Sequence, residues 1–186
     1  MKTVLSRILL GFISLTLIFL LGFPLISFTG EKQGKVILND KVTFPFKINS
    51  NTKVLLLYFG YVGCRTICVP SLEEIAQIAN HFANSRTVAF YFINISKNGK
   101  EANDFAKYFH NNITGLDLPS KDVSKLMSSL RAYSSASLSG DNEISHTGYL
   151  YLIKQNEIKN FTLKYMYYTR PFDKNSIIID IKKELK

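Results

Sequence analysis

Two cysteines carry the strongest chemical signal in this 186-residue sequence. Cys64 and Cys68 are its only cysteines, and they lie between Gly63 and Pro70. A spacing of four residues is about one helical turn, so a helix that begins nearby would place both sulfurs on one face. The positive end of a helix also stabilises a thiolate. The spacing therefore predicts a reactive dithiol or a pair of soft anionic metal ligands.

Two structural roles compete with that interpretation. The apolar N-terminal segment predicts export, and exported proteins favour disulfides, so the pair could be an inert crosslink. A disulfide between them would close a very short loop, however. Such a disulfide removes little entropy from the unfolded chain and would stabilise the fold only weakly. Two buried free thiols without a role are the other alternative, and an oxidising compartment disfavours them.

A metal site would need a third ligand, and the chain has three histidines. His81 and His110 lie near the ends of predicted helices among polar neighbours, which is typical of surface or capping histidines. His146 comes just before a predicted strand, in a loop that can approach the helix of the cysteines. Two thiolates and an imidazole suit Cu(I) and would also accept Zn(II) or Cu(II). Spacing alone leaves the role of His146 open.

Strand and helix patterns alternate along the chain after the first thirty residues. Val54–Phe59 is continuously apolar and ends at Gly60, as in a central strand buried on both faces. Pro70 fits the first turn of a helix that follows it. The remaining predicted elements are, in chain order, a short strand Val42–Phe46, a strand Val88–Ile95, a helix Lys100–Phe109, a helix capped by Ser120 and ending near Leu130, a strand Gly148–Ile153, its hairpin partner Ile158–Tyr165 and a helix Ser176–Leu185. This order predicts an α/β, thioredoxin-like fold, with a central mixed sheet and helices on both faces.

The first thirty residues have the pattern of a membrane segment. Lys2 and Arg7 are their only charged residues, and the apolar run Ile8–Phe28 is long enough to cross a bilayer core of about 30 Å. We expect residues 1–30 to be an N-terminal transmembrane anchor, although a cleaved secretory signal is the alternative. Residues 31–186 would then form one domain, exported in either case.

The formal net charge of +9 is spread along the chain. Such a charge could suit an anionic membrane surface or an acidic partner. The lysines are scattered, and the sequence contains neither a basic helix face nor a nucleic-acid motif. We therefore expect no nucleic-acid partner and attribute most of the charge to solubility.

The cysteine segment resembles a known family. Phe59–Pro70 is similar to the Phe-Gly-Tyr-Thr-x-Cys-Pro-Asp-x-Cys-Pro signature of the SCO/SenC family, and Ser145–Ile153 resembles its Asp-His-x-x-x-x-Tyr-Leu-Ile segment. Phe92–Ser96 resembles the family's second strand, and Ile113–Leu116 its short Gly-Leu strand. The metal-binding histidine of the family corresponds to His146.

The resemblance implies a membrane-tethered copper protein with a thioredoxin-like fold. It implies that Cys64, Cys68 and His146 bind one copper ion per domain, as Cu(I) or Cu(II), and that the two cysteines also form a redox pair. The implied partner is the copper-site subunit of a respiratory oxidase, or another copper or thiol protein. The implied location is the bacterial inner membrane, with a single span and the domain in the periplasm.

The sequence departs from the family pattern around the cysteines. Arg65 and Thr66 replace the usual Pro and Asp, and Val69 separates the second cysteine from its proline. Ser96 and Ser145 replace acidic residues, which removes carboxylates that would orient an imidazole. Arg65 adds a cation, from which we expect a lower thiol pKa.

Three functions remain open from the sequence. The first is a copper-binding assembly factor, in which the cysteines hold the metal. The second is a thiol–disulfide oxidoreductase without a metal role, in which Cys64 attacks and Cys68 resolves, so that whether the protein is an enzyme stays undecided. The third is a tethered binding domain that retains only the fold.

Overall fold

The computed structural model of the protein describes residues 7, 10–17, 34–96, 100–136, 144–156 and 160–186. Residues 34–186 form one compact unit, and residues 1–33 form a separate one in which residues 10–17 are helical. Within the described part of the chain, no helix has both the length and the hydropathy to span a membrane. Most of the predicted anchor lies outside the described residues, so it stays a prediction.

The compact unit alternates strands and helices. Its strands are β1 (Lys35–Val42), β2 (Val54–Gly60), β3 (Val88–Asn94), β4 (Ile113–Asp117), β5 (Ser134–Ala136), β6 (Ile144–His146), β7 (Leu150–Gln155) and β8 (Phe161–Tyr167). Its helices are α1 (Cys68–His81), α2 (Ala102–Phe109), α3 (Ser120–Ser129) and α4 (Lys174–Glu184).

The main sheet has the strand order β1-β8-β7-β2-β3-β4 among the described residues. β2, β3 and β4 are parallel, whereas β7 runs antiparallel to β2 and pairs with β8. All seven residues of β2 are buried, as its apolar composition predicts for a central strand. The mixed sheet and the thioredoxin-like fold expected from the sequence are confirmed.

The alternation of β2 side chains creates two cores, one on each face of the sheet. Leu56 and Tyr58 point into the core that contains α1, α2 and α4. Leu57 and Phe59 point into the other core, which α3 covers. Because successive strand residues face opposite sides, one apolar run supplies both cores. Both cysteines lie in the first core.

Several predicted boundaries differ from the structure. The first strand is Lys35–Val42 rather than Val42–Phe46. It pairs with β8 at the sheet edge, and half of its residues are exposed, so its apolar pattern is weak. Phe44 and Phe46 instead pack on the second core. Pro119, not Ser120, precedes the first residue of α3.

Other differences concern the elements near the cysteines and the chain end. α1 begins at Cys68, which places Pro70 inside the first turn, where a missing N–H costs no helix bond. The sequence does not predict the β5–β6 hairpin, because three-residue strands rich in serine carry no periodic signal. α4 begins at Lys174, and Asp173 caps it by accepting from the Ser176 N–H at 3.1 Å.

A buried charge network fastens α4 to the sheet. Asp180 forms an ion pair with Lys35 of β1 and accepts a 2.8 Å hydrogen bond from the Tyr167 hydroxyl. Glu184 pairs with Lys154 at 3.4 Å and accepts from Tyr165 at 3.3 Å. These anions are nearly inaccessible to water, so each depends on its partners for compensation.

Replacing Asp180 with alanine will therefore destabilise the fold. Asp180→Ala leaves Lys35 without its buried partner, and we expect a loss of about 3 kcal/mol in the free energy of unfolding. The matched control is Asp40→Ala, which breaks the exposed ion pair with Arg131 and should cost less than about 1 kcal/mol. Urea unfolding followed by circular dichroism measures both values, and equal losses would contradict the structural role of the buried pair.

Candidate metal centre

Gly60 allows the cysteine segment to approach the end of β2. A Cβ atom at this position would lie 2.8 Å from the Cys68 sulfur and 2.8 Å from the ring of Phe92. Real Cβ atoms do not make such short contacts, so only glycine lets α1 start this close to the strand. The chain then turns through residues 61–67, where Gly63 has a φ of 93° that favours glycine.

The turn places both sulfurs at the start of α1. The Cys64 N–H donates to the Tyr61 carbonyl at 3.1 Å, which closes the turn. The Cys68 N–H donates to the Cys64 sulfur at 3.3 Å. Both cysteines are free and buried. The predicted arrangement, with two sulfurs at a helix N-terminus, is confirmed.

The β5–β6 hairpin supplies the third group. His146 is the last residue of β6 and pairs with Ser134 of β5. The next residue is held as well, because the Thr147 N–H donates to the Tyr133 carbonyl at 3.1 Å. This anchoring brings the His146 Nε2 atom to 3.5 Å from the Cys68 sulfur. Tertiary structure thus places His146 beside the cysteines, a proximity that spacing alone left open.

A backbone carbonyl orients the ring of His146. Its Nδ1 atom lies 3.2 Å from the Thr147 carbonyl oxygen, which can only accept a hydrogen bond. Nδ1 therefore donates to this carbonyl, and Nε2 is the ring nitrogen that faces the cysteines. Metal-binding histidines are commonly oriented in this way by a second acceptor. The Thr147 carbonyl takes the place of the carboxylates that are missing at Ser96 and Ser145. The sequence does not predict this acceptor, because it is a backbone atom.

The three side chains form a compact donor set. The sulfurs of Cys64 and Cys68 and a ring nitrogen of His146 all lie within 4.8 Å of one another. Sulfur and nitrogen ligands bind metals at about 2.0–2.3 Å, so two donors of one ion lie at most about 4.6 Å apart. The set therefore fits one ion with little movement. Among the described residues it is the only such cluster of His, Cys, Asp and Glu side chains.

A pocket of about 190 Å³ opens onto this donor set. Cys64 and His146 line it, whereas Cys68 does not. The remaining lining residues are Tyr61, Thr66, Ile67, Ile144 and Ser145. A molecule entering the pocket therefore meets Cys64 and His146 first, with Cys68 buried behind them.

The pKa values of the two thiols are shifted in opposite directions. The pKa of Cys64 is lowered, because Cys68 donates a hydrogen bond to it and because His146 and the backbone N–H groups of Ile67 and Cys68 favour its anion. The pKa of Cys68 is raised by the same neighbouring sulfur and by burial. Arg65, from which we expected this effect, is exposed and is not among the largest causes.

The other two histidines lie away from the donor set. His81 ends α1 and is exposed. His110 follows α2, and its Nδ1 atom accepts from the Asn112 N–H at 3.1 Å. Their expected surface and capping roles agree with these positions. Ser96 is also engaged locally, since its N–H donates to Asn94 Oδ1 at 3.1 Å.

The family assignment rests on a match across most of the compact unit. The SCO1/SenC family profile matches residues 47–186, which include both cysteines and His146. The chain belongs to the SCO1/SenC family. The resemblance drawn from the motifs is thereby confirmed.

Individual relatives agree with this assignment. A stretch of 108 residues is 28% identical to the mitochondrial SCO1 homolog of Homo sapiens and covers 53% of this chain but only 36% of the human protein. Copper-bound ScoI of Arabidopsis thaliana superposes with a TM-score of 0.59 at 22% identity, over 72% of this chain and 84% of that one. A SCO1/SenC family lipoprotein from Bacillus anthracis gives 0.62 at 18% identity, over 83% and 97%. These structures share the fold.

The reduced SCO1/SenC domain should contain a thiolate at unusually low pH. We expect absorbance at 240 nm to reveal one thiolate with a midpoint well below the ordinary cysteine value of about 8.5, and Cys64→Ser to remove it. His146→Ala should move the midpoint upward, since it removes a group that stabilises the anion. His81→Ala is the matched control and should leave the midpoint of the thiolate titration unchanged. An ordinary midpoint in the wild type would contradict this arrangement.

Proposed function

We propose that this protein binds one copper ion through Cys64, Cys68 and His146 and takes part in assembling the copper site of a respiratory oxidase. The convergence of three soft donors within 4.8 Å, two of which line a pocket, is the observation that carries this proposal. Thiolate and imidazole ligands without a carboxylate favour Cu(I) over harder ions. The Nε2 atom already points toward the sulfurs and Nδ1 is held by the Thr147 carbonyl, so the imidazole need not turn over to bind.

The family supports the copper and the oxidase. A solved relative from Arabidopsis thaliana contains copper. The Sco family consists of cytochrome c oxidase assembly proteins. Because this chain retains the donor set, we infer that its partner is an oxidase subunit with a copper site.

The geometry suits delivery of the ion rather than permanent storage. Three protein ligands leave room for one more from a partner, and the pocket gives access to Cys64 and His146. A partner thiolate that enters the pocket would reach the ion beside Cys64 and His146, before either ligand has to leave. Ligand-by-ligand exchange of this kind avoids a bare ion at any stage.

The location of the domain belongs to the same proposal. The uncharged apolar run Ile8–Phe28, preceded by Lys2 and Arg7, supports a single anchor in the bacterial inner membrane with the domain in the periplasm. An oxidising periplasm would require the cysteines to be kept reduced before they bind Cu(I).

The reduced protein should bind Cu(I) one to one in competition with a chelator. His146→Ala should weaken the affinity at least about tenfold, since it removes one of three ligands, a loss of about 1.4 kcal/mol or more. Cys64→Ala should weaken it further. His110→Ala, a histidine outside the site, is the control and should bind like the wild type. Unchanged binding without His146 would contradict the three-ligand site.

A second function, thiol–disulfide exchange without metal, is favoured by the unequal cysteines. Cys64 lines the pocket and has a lowered pKa, as an attacking thiolate requires. It would displace one sulfur of a partner disulfide and form a mixed disulfide. Cys68 would then lose its proton and attack Cys64, which releases the second partner thiol and leaves a Cys64–Cys68 disulfide.

Reduction of a small test disulfide under metal-free conditions separates the two functions. If exchange is the function, His146→Ala should react like the wild type at alkaline pH, where Cys64 is a thiolate in both proteins. Cys64→Ser should be inactive, because the attacking sulfur is gone. Activity in a Cys64→Ser/Cys68→Ser variant would contradict exchange at this pair, and retention of full cellular function by that variant would leave only a binding domain.

A further inference from the structure

Two hydroxyl groups behind the cysteines are buried without a partner. The hydroxyl oxygens of Tyr58 and Ser71 are inaccessible to solvent and make no hydrogen bond in the part of the chain that the structure describes. Each residue is only 1% exposed. A buried polar group without a partner costs free energy, so such groups are rare and call for an explanation.

Both residues lie near Cys68. Tyr58 is on β2 and shares a face with Gly60, whose hypothetical Cβ would lie 3.4 Å from the Tyr58 ring and 2.8 Å from the Cys68 sulfur. Ser71 follows Cys68 by three residues on α1, one turn along the same helix face. Tyr58, Ser71 and Cys68 are within electrostatic reach of one another, although neither hydroxyl forms a hydrogen bond within the described residues of the metal-free protein.

The state of the Cys68 sulfur decides what Tyr58 can bond to. A neutral thiol is a weak hydrogen-bond acceptor, whereas a thiolate is a strong one. The donor set surrounds Cys68 on the pocket side with Cys64 and His146, which leaves the sulfur face toward β2 for another donor. A metal ion would displace the Cys68 proton to solvent and leave a coordinated thiolate beside the Tyr58 hydroxyl.

We propose that Tyr58 is a positioning residue of the loaded site, whose hydroxyl donates a hydrogen bond to the Cys68 sulfur when that sulfur binds a metal as a thiolate. The inference rests on the proposed copper function and deepens it. The unpaired hydroxyl destabilises the metal-free protein and gains its partner only on loading, so it biases the equilibrium toward the loaded state. In the loaded site, Ser71 donates to the Tyr58 oxygen, which leaves the tyrosine proton for sulfur.

The test compares three variants in two measurements. Tyr58→Phe keeps the ring and its edge-to-face contact with Phe172 and removes only the hydroxyl. Tyr151→Phe is the matched control, since Tyr151 is also fully buried with an unpaired hydroxyl but faces the opposite core. Ser71→Ala removes the supporting donor. The measurements are the melting temperature of the metal-free reduced protein and the Cu(I) dissociation constant against a competing chelator.

The expected effects of Tyr58→Phe have opposite signs. The melting temperature of the metal-free protein should stay constant or rise by about 2–4 °C, because an unpaired polar group is lost. The Cu(I) affinity should fall about tenfold, as for the loss of a hydrogen bond to a charged group. Tyr151→Phe should give the same thermal effect with unchanged affinity. Ser71→Ala should lower the affinity by a smaller factor.

A spectroscopic readout completes the experiment. In the Cu(II)-loaded protein, the sulfur-to-copper charge-transfer band should shift in Tyr58→Phe and not in Tyr151→Phe, because only the first alters a bond to the ligand sulfur. If the wild type binds Cu(I) and Tyr58→Phe binds it with the same affinity, this inference is wrong and the copper site is unaffected. Equal affinity losses in both tyrosine variants would also overturn it. Failure of the wild type to bind Cu(I) would overturn the copper function and the role of Tyr58 with it.

Discussion

The contact between Gly60 and the Cys68 sulfur is the constraint on which the site depends. It joins the end of the most buried strand to the first residue of α1, with no room for even a methyl group between them. The register of β2 with β3 and β7 fixes Gly60 in space. The position of Cys68 therefore follows from the core of the protein and not from a mobile loop. A sulfur held in this way loses little conformational entropy when it binds an ion.

The two cysteines differ although they share one turn. Cys68 is enclosed by the sheet and stays protonated, whereas Cys64 faces the pocket and receives hydrogen bonds that favour its anion. One thiolate and one thiol within reach of each other serve either candidate function. A metal ion would deprotonate the second sulfur, and a partner disulfide would be attacked by the first. The choice between the functions lies with His146, because only metal binding uses its Nε2 atom as a ligand.

The residues that depart from the family signature alter the metal site less than their changes in charge suggest. Arg65 is exposed, and the acidity of Cys64 comes instead from Cys68, His146 and backbone N–H groups. Ser145 replaces an acidic residue beside His146, but the carbonyl of Thr147 orients the imidazole. A backbone acceptor cannot be lost by substitution, so the chain tolerates a serine where other family members use a carboxylate. The soft character of the donor set is preserved.

The sequence by itself determined the cysteine pair, the buried strand before it and the helix after it. Continuous apolar runs and a proline near a helix start are local signals, so β2, β3, β7 and α1 were predictable to within a few residues. The family motifs also pointed to His146. Weakly patterned elements were not predictable: β1 is an exposed edge strand, and β5 and β6 are short and rich in serine.

Only the tertiary structure decided that the three donors meet. His146 follows Cys68 by 78 residues, and its place depends on the β5–β6 hairpin and on the backbone of Tyr133 and Thr147. The burial of Cys68 and the unpaired hydroxyl of Tyr58 likewise arise from contacts between segments distant in the chain. Composition and periodicity report which face of an element is buried, but they do not report which atoms meet across the core, and the chemistry of this site is set by those atoms.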